Sequence, residues 1–151
     1  GSWHGYLQLD AAPSTLGRAT SLLLERFAAL PALVSRVGWR RRLCLPPAAM
    51  LGYYPADTGA MYRKHLDRQP TEAENRREIT FLVYVNYDWD TARCGGCLRL
   101  HSNDTAAPVD VEPIGGRVVV FRSADQLHEV LPSTGEGRIA LTLWVEYEED
   151  G

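Results

Sequence analysis

The sequence is short of several things, and each shortage excludes a class of protein. Its 151 residues include only three cysteines, Cys44, Cys94 and Cys97. That is too few, and an odd number, for a disulfide framework, so a reducing setting is expected, cytoplasmic or nuclear. No apolar run approaches the ~20 residues a membrane helix needs. No signal-peptide pattern opens the chain, and Gly1-Ser2 reads as a cloning scar. Neither sign of charge dominates: 16 basic and 19 acidic residues leave −3, which offers no footing for nucleic acid. The one basic run, Arg40 to Arg42, is too short to change this and is expected at a solvated strand edge. Internal repeats and low-complexity tracts are missing as well. Histidine is scarce, with four in the chain.

What is present is the texture of a single folded domain spanning residues 1–151. Apolar residues make up 45% and charged residues 23%, and the length suffices for one core. Leu16, Ala19, Leu22, Leu23, Phe27 and Leu30 recur at helical spacing. They predict an amphipathic helix over 14–30, capped by Ser14 or Thr15 and ended or kinked by Pro31. A further helical turn is expected at 32–38, so that 13–40 form a helical support. From 42 to about 148 short β-branched and aromatic runs alternate with turn residues. Strands are predicted at 43–45, 48–54, 62–66, 79–86, 97–101, 109–112, 117–122, 129–131 and 138–147. A helical start followed by many close-spaced strands predicts a mainly β fold, a sandwich or barrel with helices on one face. Residues 68–78, RQPTEAENRRE, form a charged loop that is either plain connection or a flap beside a site.

Residues 61 to 67 read MYRKHLD. Residues i and i+2 of a strand share a face, so His65 and Asp67 would project side by side. An imidazole nitrogen and a carboxylate oxygen suit iron(II) or another divalent ion of intermediate hardness. His128 opens a later strand, and Arg138 opens the last one. If LPSTGEG is a hairpin turn, these two fall on neighbouring antiparallel strands. Two histidines and one carboxylate on a shared face make the facial triad of non-haem iron oxygenases. A planar guanidinium binds carboxylate through two parallel hydrogen bonds. Arg138 is therefore the candidate for the far carboxylate of a dicarboxylate such as 2-oxoglutarate. Tyr54 and Tyr84 offer phenols, and Thr142 shares the face of Arg138. His4 has no place in this pattern, and His101 reads as a surface residue.

These residues sit in motifs that resemble a known family. YYP with the following HLD, YVNYDWD, GGCLRL, VDVEPIGGRVVVFRS, HEVLP and GRIALTLW are similar to the 2-oxoglutarate- and iron(II)-dependent dioxygenases. Within them, the resemblance is to prolyl hydroxylase domains of the hypoxia-sensing type and their bacterial and protist relatives. It covers roughly residues 48–147 and implies a double-stranded β-helix. It implies that His65, Asp67 and His128 hold iron(II), and that Arg138 binds 2-oxoglutarate with Tyr54, Tyr84 and Thr142 assisting. Leu98, Val130 and Trp144 match apolar pocket walls. The implied activity is hydroxylation of a prolyl residue in a protein or peptide by dioxygen, with ascorbate as a supporting reductant. The loop at 68–78 departs from the hypoxia-sensing members in composition.

Three rivals accompany this reading. Cys94 and Cys97 in CGGC can be a thiol–disulfide pair or half a zinc site, although free thiols fit a turn that enters a strand better. A non-catalytic module can use the same fold. The same chemistry can also act on a free amino acid or small metabolite.

Overall fold

The computed structural model describes residues 1–9, 18–102, 104 and 106–148. The chain runs through β1 (Trp3–Gln8), α1 (Arg18–Ala28), α2 (Leu30–Arg36), β2 (Leu43–Cys44), β3 (Ala48–Tyr54), β4 (Ala60–His65) and β5 (Arg77–Tyr84). It continues through α3 (Thr91–Cys94), β6 (Leu98–Leu100), β7 (Val109–Val111), β8 (Val118–Arg122), β9 (His128–Ser133) and β10 (Arg138–Tyr147). The larger sheet has the order β1-β3-β10-β5-β8, with β2 paired to β10, and the smaller has the order β4-β9-β6-β7. The strand pairs are antiparallel, and the chain changes sheet between β3 and β4, β4 and β5, β5 and β6, β7 and β8, β8 and β9, and β9 and β10. This is the double-stranded β-helix, a jelly-roll arrangement without a single continuous meander.

Strand periodicity explains how two cores form on one sheet. Ile79, Phe81 and Val83 of β5, with Leu141, Leu143 and Val145 of β10, pack with Leu24 and Phe27 of α1. Their alternate neighbours face the other way, where Leu82, Tyr54, Leu98 and Val130 fill the space between the sheets. The near-continuous apolar runs of β5 and β10 follow from this burial on both faces.

Several expectations change. Pro31 does not end the helix but opens α2, at its first turn. A proline there sacrifices only an N–H that would lack a helical partner anyway. The expected cap at Ser14 or Thr15, and Leu16, lie outside the described residues. β1 was not expected, because WHGYLQ has little strand patterning; it forms by pairing along β3 from Trp3–Tyr53 to Gln8–Ala48. α3 was not expected either; the Asp90 side chain caps it by accepting from the Ala92 and Arg93 amides. The arginine run is not merely a solvated edge, since Arg41 binds the buried carboxylate of Glu78 at 3.2 Å.

Candidate metal centre

His65 ends β4 and lies directly across the ladder from His128, which begins β9. Their rings stand 4.3 Å apart, centre to centre. Asp67 lies in the bend just past β4, so it is not on the strand with His65 as the pattern suggested. Its Oδ1 is 3.4 Å from His65 Nε2 and 3.9 Å from His128 Nε2. One ligand atom from each of the three lies within 4.8 Å of the others.

Local hydrogen bonds turn these atoms toward a common point. His65 Nδ1 is 2.8 Å from the Arg63 carbonyl, and His128 Nδ1 is 2.9 Å from the Gln126 carbonyl. A carbonyl can only accept, so each Nδ1 is the donor, and each Nε2 is turned toward Asp67. Burial pushes His128 below the usual histidine range, against the pull of Asp67. Burial alone would raise Asp67, but the His65 hydrogen bond, the nearby His128 and the Thr80 hydroxyl outweigh it and hold the carboxyl below its usual range. Two imidazole nitrogens and one carboxylate are the donor set that intermediate divalent ions prefer. The residues present therefore fit iron(II).

Arg138 corrects a second expectation. It does not neighbour His128 on one ladder: β9 belongs to the smaller sheet and β10 to the larger. Leu131, Pro132 and Ser133 of LPSTGEG complete β9, residues 134–137 cross between the sheets, and His128 and Arg138 both line the cavity. Arg138 is 1% exposed. Its Nε donates to the Gly96 carbonyl at 2.9 Å, and its guanidinium lies over the rings of Tyr54 and Tyr84, at 4.7 and 5.2 Å. Among the described residues no carboxylate pairs with it. The Tyr84 hydroxyl beside it is also buried without a hydrogen-bond partner, while the Trp144 indole, across the ladder from Thr80, lies at the Asp67 end of the cavity. Burial raises the Tyr54 and Tyr84 phenols despite the arginine, so both keep their protons as donors. A buried cation beside unused donors is costly unless an anion completes it. This corner thus fits the far carboxylate of 2-oxoglutarate.

The cavity of about 440 Å³ joins both features: His65, Asp67, His128, Arg138, Tyr54, Leu98, Val130, Thr142 and Trp144 all line it. Tyr84 is absent from the lining and sits behind, fully buried. Sequence reasoning missed several residues. His4, set aside earlier, lines the mouth and meets Tyr62 edge-on at 5.7 Å. Gln69, Glu72, Asn75 and Arg77 also line it, so the charged loop borders the site. Asn75 ties that loop to the Asp67 carbonyl at 3.1 Å, and Arg77 lies 3.7 Å above the Trp144 ring. Thr80 was legible in principle, since it precedes Tyr84 by four residues on one strand and so shares its face.

The other motifs serve as scaffold. Asn86 of NYDWD accepts from the Ile139 amide at 2.6 Å and donates to Pro113 O at 2.7 Å, pinning the start of β10. Gly96 of CGGC has φ +71°, and a Cβ there would stand 3.0 Å from Arg138 Cδ. Glycine lets the chain pass behind the arginine. All three cysteines are free, with Cys94 and Cys97 buried. His101 is not a bare surface residue; its Nε2 lies 2.9 Å from Glu129 on the outer side of β9.

Comparison with known proteins follows the same lines. The model of the 2OG-Fe(II) oxygenase superfamily matches residues 49–146. Over 97 residues the chain is 39% identical to the hypoxia-inducible factor prolyl hydroxylase of Caenorhabditis elegans, covering 64% of this chain and 13% of that protein. The chain thus spans a small part of that relative's length. A crystal structure of a Pseudomonas putida prolyl-4-hydroxylase is similar with a TM-score of 0.78 and 29% identity, over 99% of this chain and 73% of that one. A Trichoplax adhaerens prolyl hydroxylase in complex with a hypoxia-inducible factor oxygen degradation domain peptide fragment gives a TM-score of 0.79 and 27% identity, over 97% and 63%.

Proposed function

Because the chain belongs to the 2OG-Fe(II) oxygenase superfamily, we propose that it is an iron(II)- and 2-oxoglutarate-dependent dioxygenase that hydroxylates a prolyl residue of a protein or peptide. The observation that carries this reading is the convergence of His65, Asp67 and His128 in a cavity also lined by the buried guanidinium of Arg138, which has no carboxylate partner among the described residues. When bound, iron(II) and 2-oxoglutarate supply the oxidative chemistry that couples decarboxylation of the keto acid to hydroxylation of an unactivated C–H bond.

The protein supplies position and dryness. His65 Nε2, His128 Nε2 and Asp67 Oδ1 would hold the metal from one side, leaving three adjacent positions open. Arg138 would pair with the far carboxylate, with Tyr54, Tyr84 and Thr142 as hydroxyl donors. Leu98 and Val130 keep water from that corner, and water exclusion strengthens each charged contact there. The lining includes the exposed aromatic residues Tyr6 and Tyr62, and Arg77 lies over the Trp144 ring, which suits a proline ring with a polar peptide around it. The peptide complex of the Trichoplax relative supports a peptide substrate. Free Cys44, Cys94 and Cys97 support a reducing setting, cytoplasmic or nuclear.

The test is mass spectrometry of proline-containing peptides after incubation with the protein, iron(II), ascorbate and 2-oxoglutarate. The expected result is a gain of one oxygen on proline with matching succinate. Succinate formed with no oxidised peptide, but stimulated by a free amino acid, would move the substrate to small molecules.

A further inference from the structure

The two oxygens of Asp67 have different neighbourhoods. Oδ1 faces the histidines, while Oδ2 accepts from Thr80 Oγ1 at 2.6 Å. Thr80 Oγ1 lies in turn 2.9 Å from Ser123 Oγ. A threonine hydroxyl carries one proton. Having given it to Asp67, Thr80 must accept from Ser123, so the chain of donation runs Ser123 to Thr80 to Asp67. Thr80 and Ser123 are both fully buried, so no bulk water can stand in for either hydroxyl.

The backbone holds this relay rigidly. The Ser123 amide donates to the Glu78 carbonyl at 3.0 Å, and the Arg68 amide donates to the Ser123 carbonyl at 3.1 Å. Ser123 is thereby stitched between the start of β5 and the residue that follows Asp67. The Glu78 carboxylate then binds Arg41 and Arg68, each at 3.2 Å.

We propose that Thr80 and Ser123 are positioning residues of the metal centre. Their relay occupies Asp67 Oδ2 and presents Oδ1 alone to the cation. It thereby prevents two-oxygen binding, which would take one of the three positions the triad leaves open. This inference rests on reading the site as a metal centre.

The experiment uses cobalt(II) as the probe, because its visible absorption reports coordination number and geometry as well as affinity. Thr80→Val replaces the hydroxyl by a methyl of the same shape and keeps the β-branch that suits a strand. It is expected to weaken cobalt binding about 10- to 100-fold, the usual cost of losing an outer hydrogen bond to a ligand, and to change the absorption spectrum as Asp67 turns. Thr80→Ser should restore affinity and spectrum, and Ser123→Ala should shift both in the direction of Thr80→Val by less. Wild-type affinity and spectrum in folded Thr80→Val would overturn the proposal. So would a lowered melting temperature with binding unchanged, the signature of a purely structural hydroxyl. If Thr80→Val does not fold, Ser123→Ala decides by the same criteria. Failure of the wild-type protein to bind cobalt would be a distinct result, sinking the metal reading and this inference with it.

Discussion

Along β10, Leu141, Leu143 and Val145 turn toward the helices, while Arg138, Thr142 and Trp144 turn toward the cavity. On β5 the same alternation sets Ile79, Phe81 and Val83 against Thr80, Leu82 and Tyr84. One face of the sheet is an oily layer of the kind that stabilises any domain. Among the described residues, the other face carries a guanidinium with no carboxylate partner and a tyrosine hydroxyl with no hydrogen-bond partner. Such groups oppose folding. The two faces therefore serve different tasks. Apolar burial on the helix side offsets the cost of a cavity side that stays incomplete until its ligands arrive, which is where a functional site departs from local folding rules.

The comparison breaks first at the triad. Asp67→Ala or His128→Ala should reduce 2-oxoglutarate turnover to the no-enzyme background, with circular dichroism still that of a folded protein. Wild-type turnover in either variant would remove the metal assignment. On the helix face the effect should reverse. Leu143→Ala empties a fully buried position, so a loss of about 2–5 kcal/mol is expected in denaturant melts. The Michaelis constant for 2-oxoglutarate of the folded protein should not change.

Arg138→Met sharpens the contrast within one residue. Losing the partner of a buried carboxylate costs roughly 2–5 kcal/mol, so the Michaelis constant for 2-oxoglutarate should rise at least about thirtyfold by steady-state kinetics. The ligand-free protein should melt at the same temperature or higher, because a buried charge without a counter-ion is gone. A large fall in melting temperature would mean that the guanidinium is structural. The smallest effect should come from filling the cavity. A metal ion or cosubstrate at one hundred times its dissociation constant adds about 2.7 kcal/mol, seen as an upward shift in thermal scanning that Arg138→Met cuts to about a third or less for 2-oxoglutarate and leaves intact for the metal.

The boundaries of β3 and β10 were legible because both combine strong strand composition with clear turn residues at their ends. His65, Asp67, His128 and Arg138 were legible because few polar residue types can hold a metal or a dicarboxylate, and their order along the chain restricts the choice. β1 was hidden because its strand character comes from pairing with β3, a partner about forty-five residues away. Ser123 and His4 were hidden for a related reason. A hydroxyl or a lone imidazole has no meaning until its neighbour in space is known, and Ser123 lies forty-three residues from Thr80.

By itself the sequence determined the strands from β2 to β10 to within a few residues and singled out four side chains as candidates for the chemistry, since composition and residue type are local properties. Only the tertiary structure decided that His128 and Arg138 belong to different sheets, and that the turn between them is a crossover. It also decided that Asp67 sits past its strand, with one oxygen tied to a buried hydroxyl chain. These outcomes depend on how the sheets close over one another, and closure is settled by packing between residues far apart in the chain.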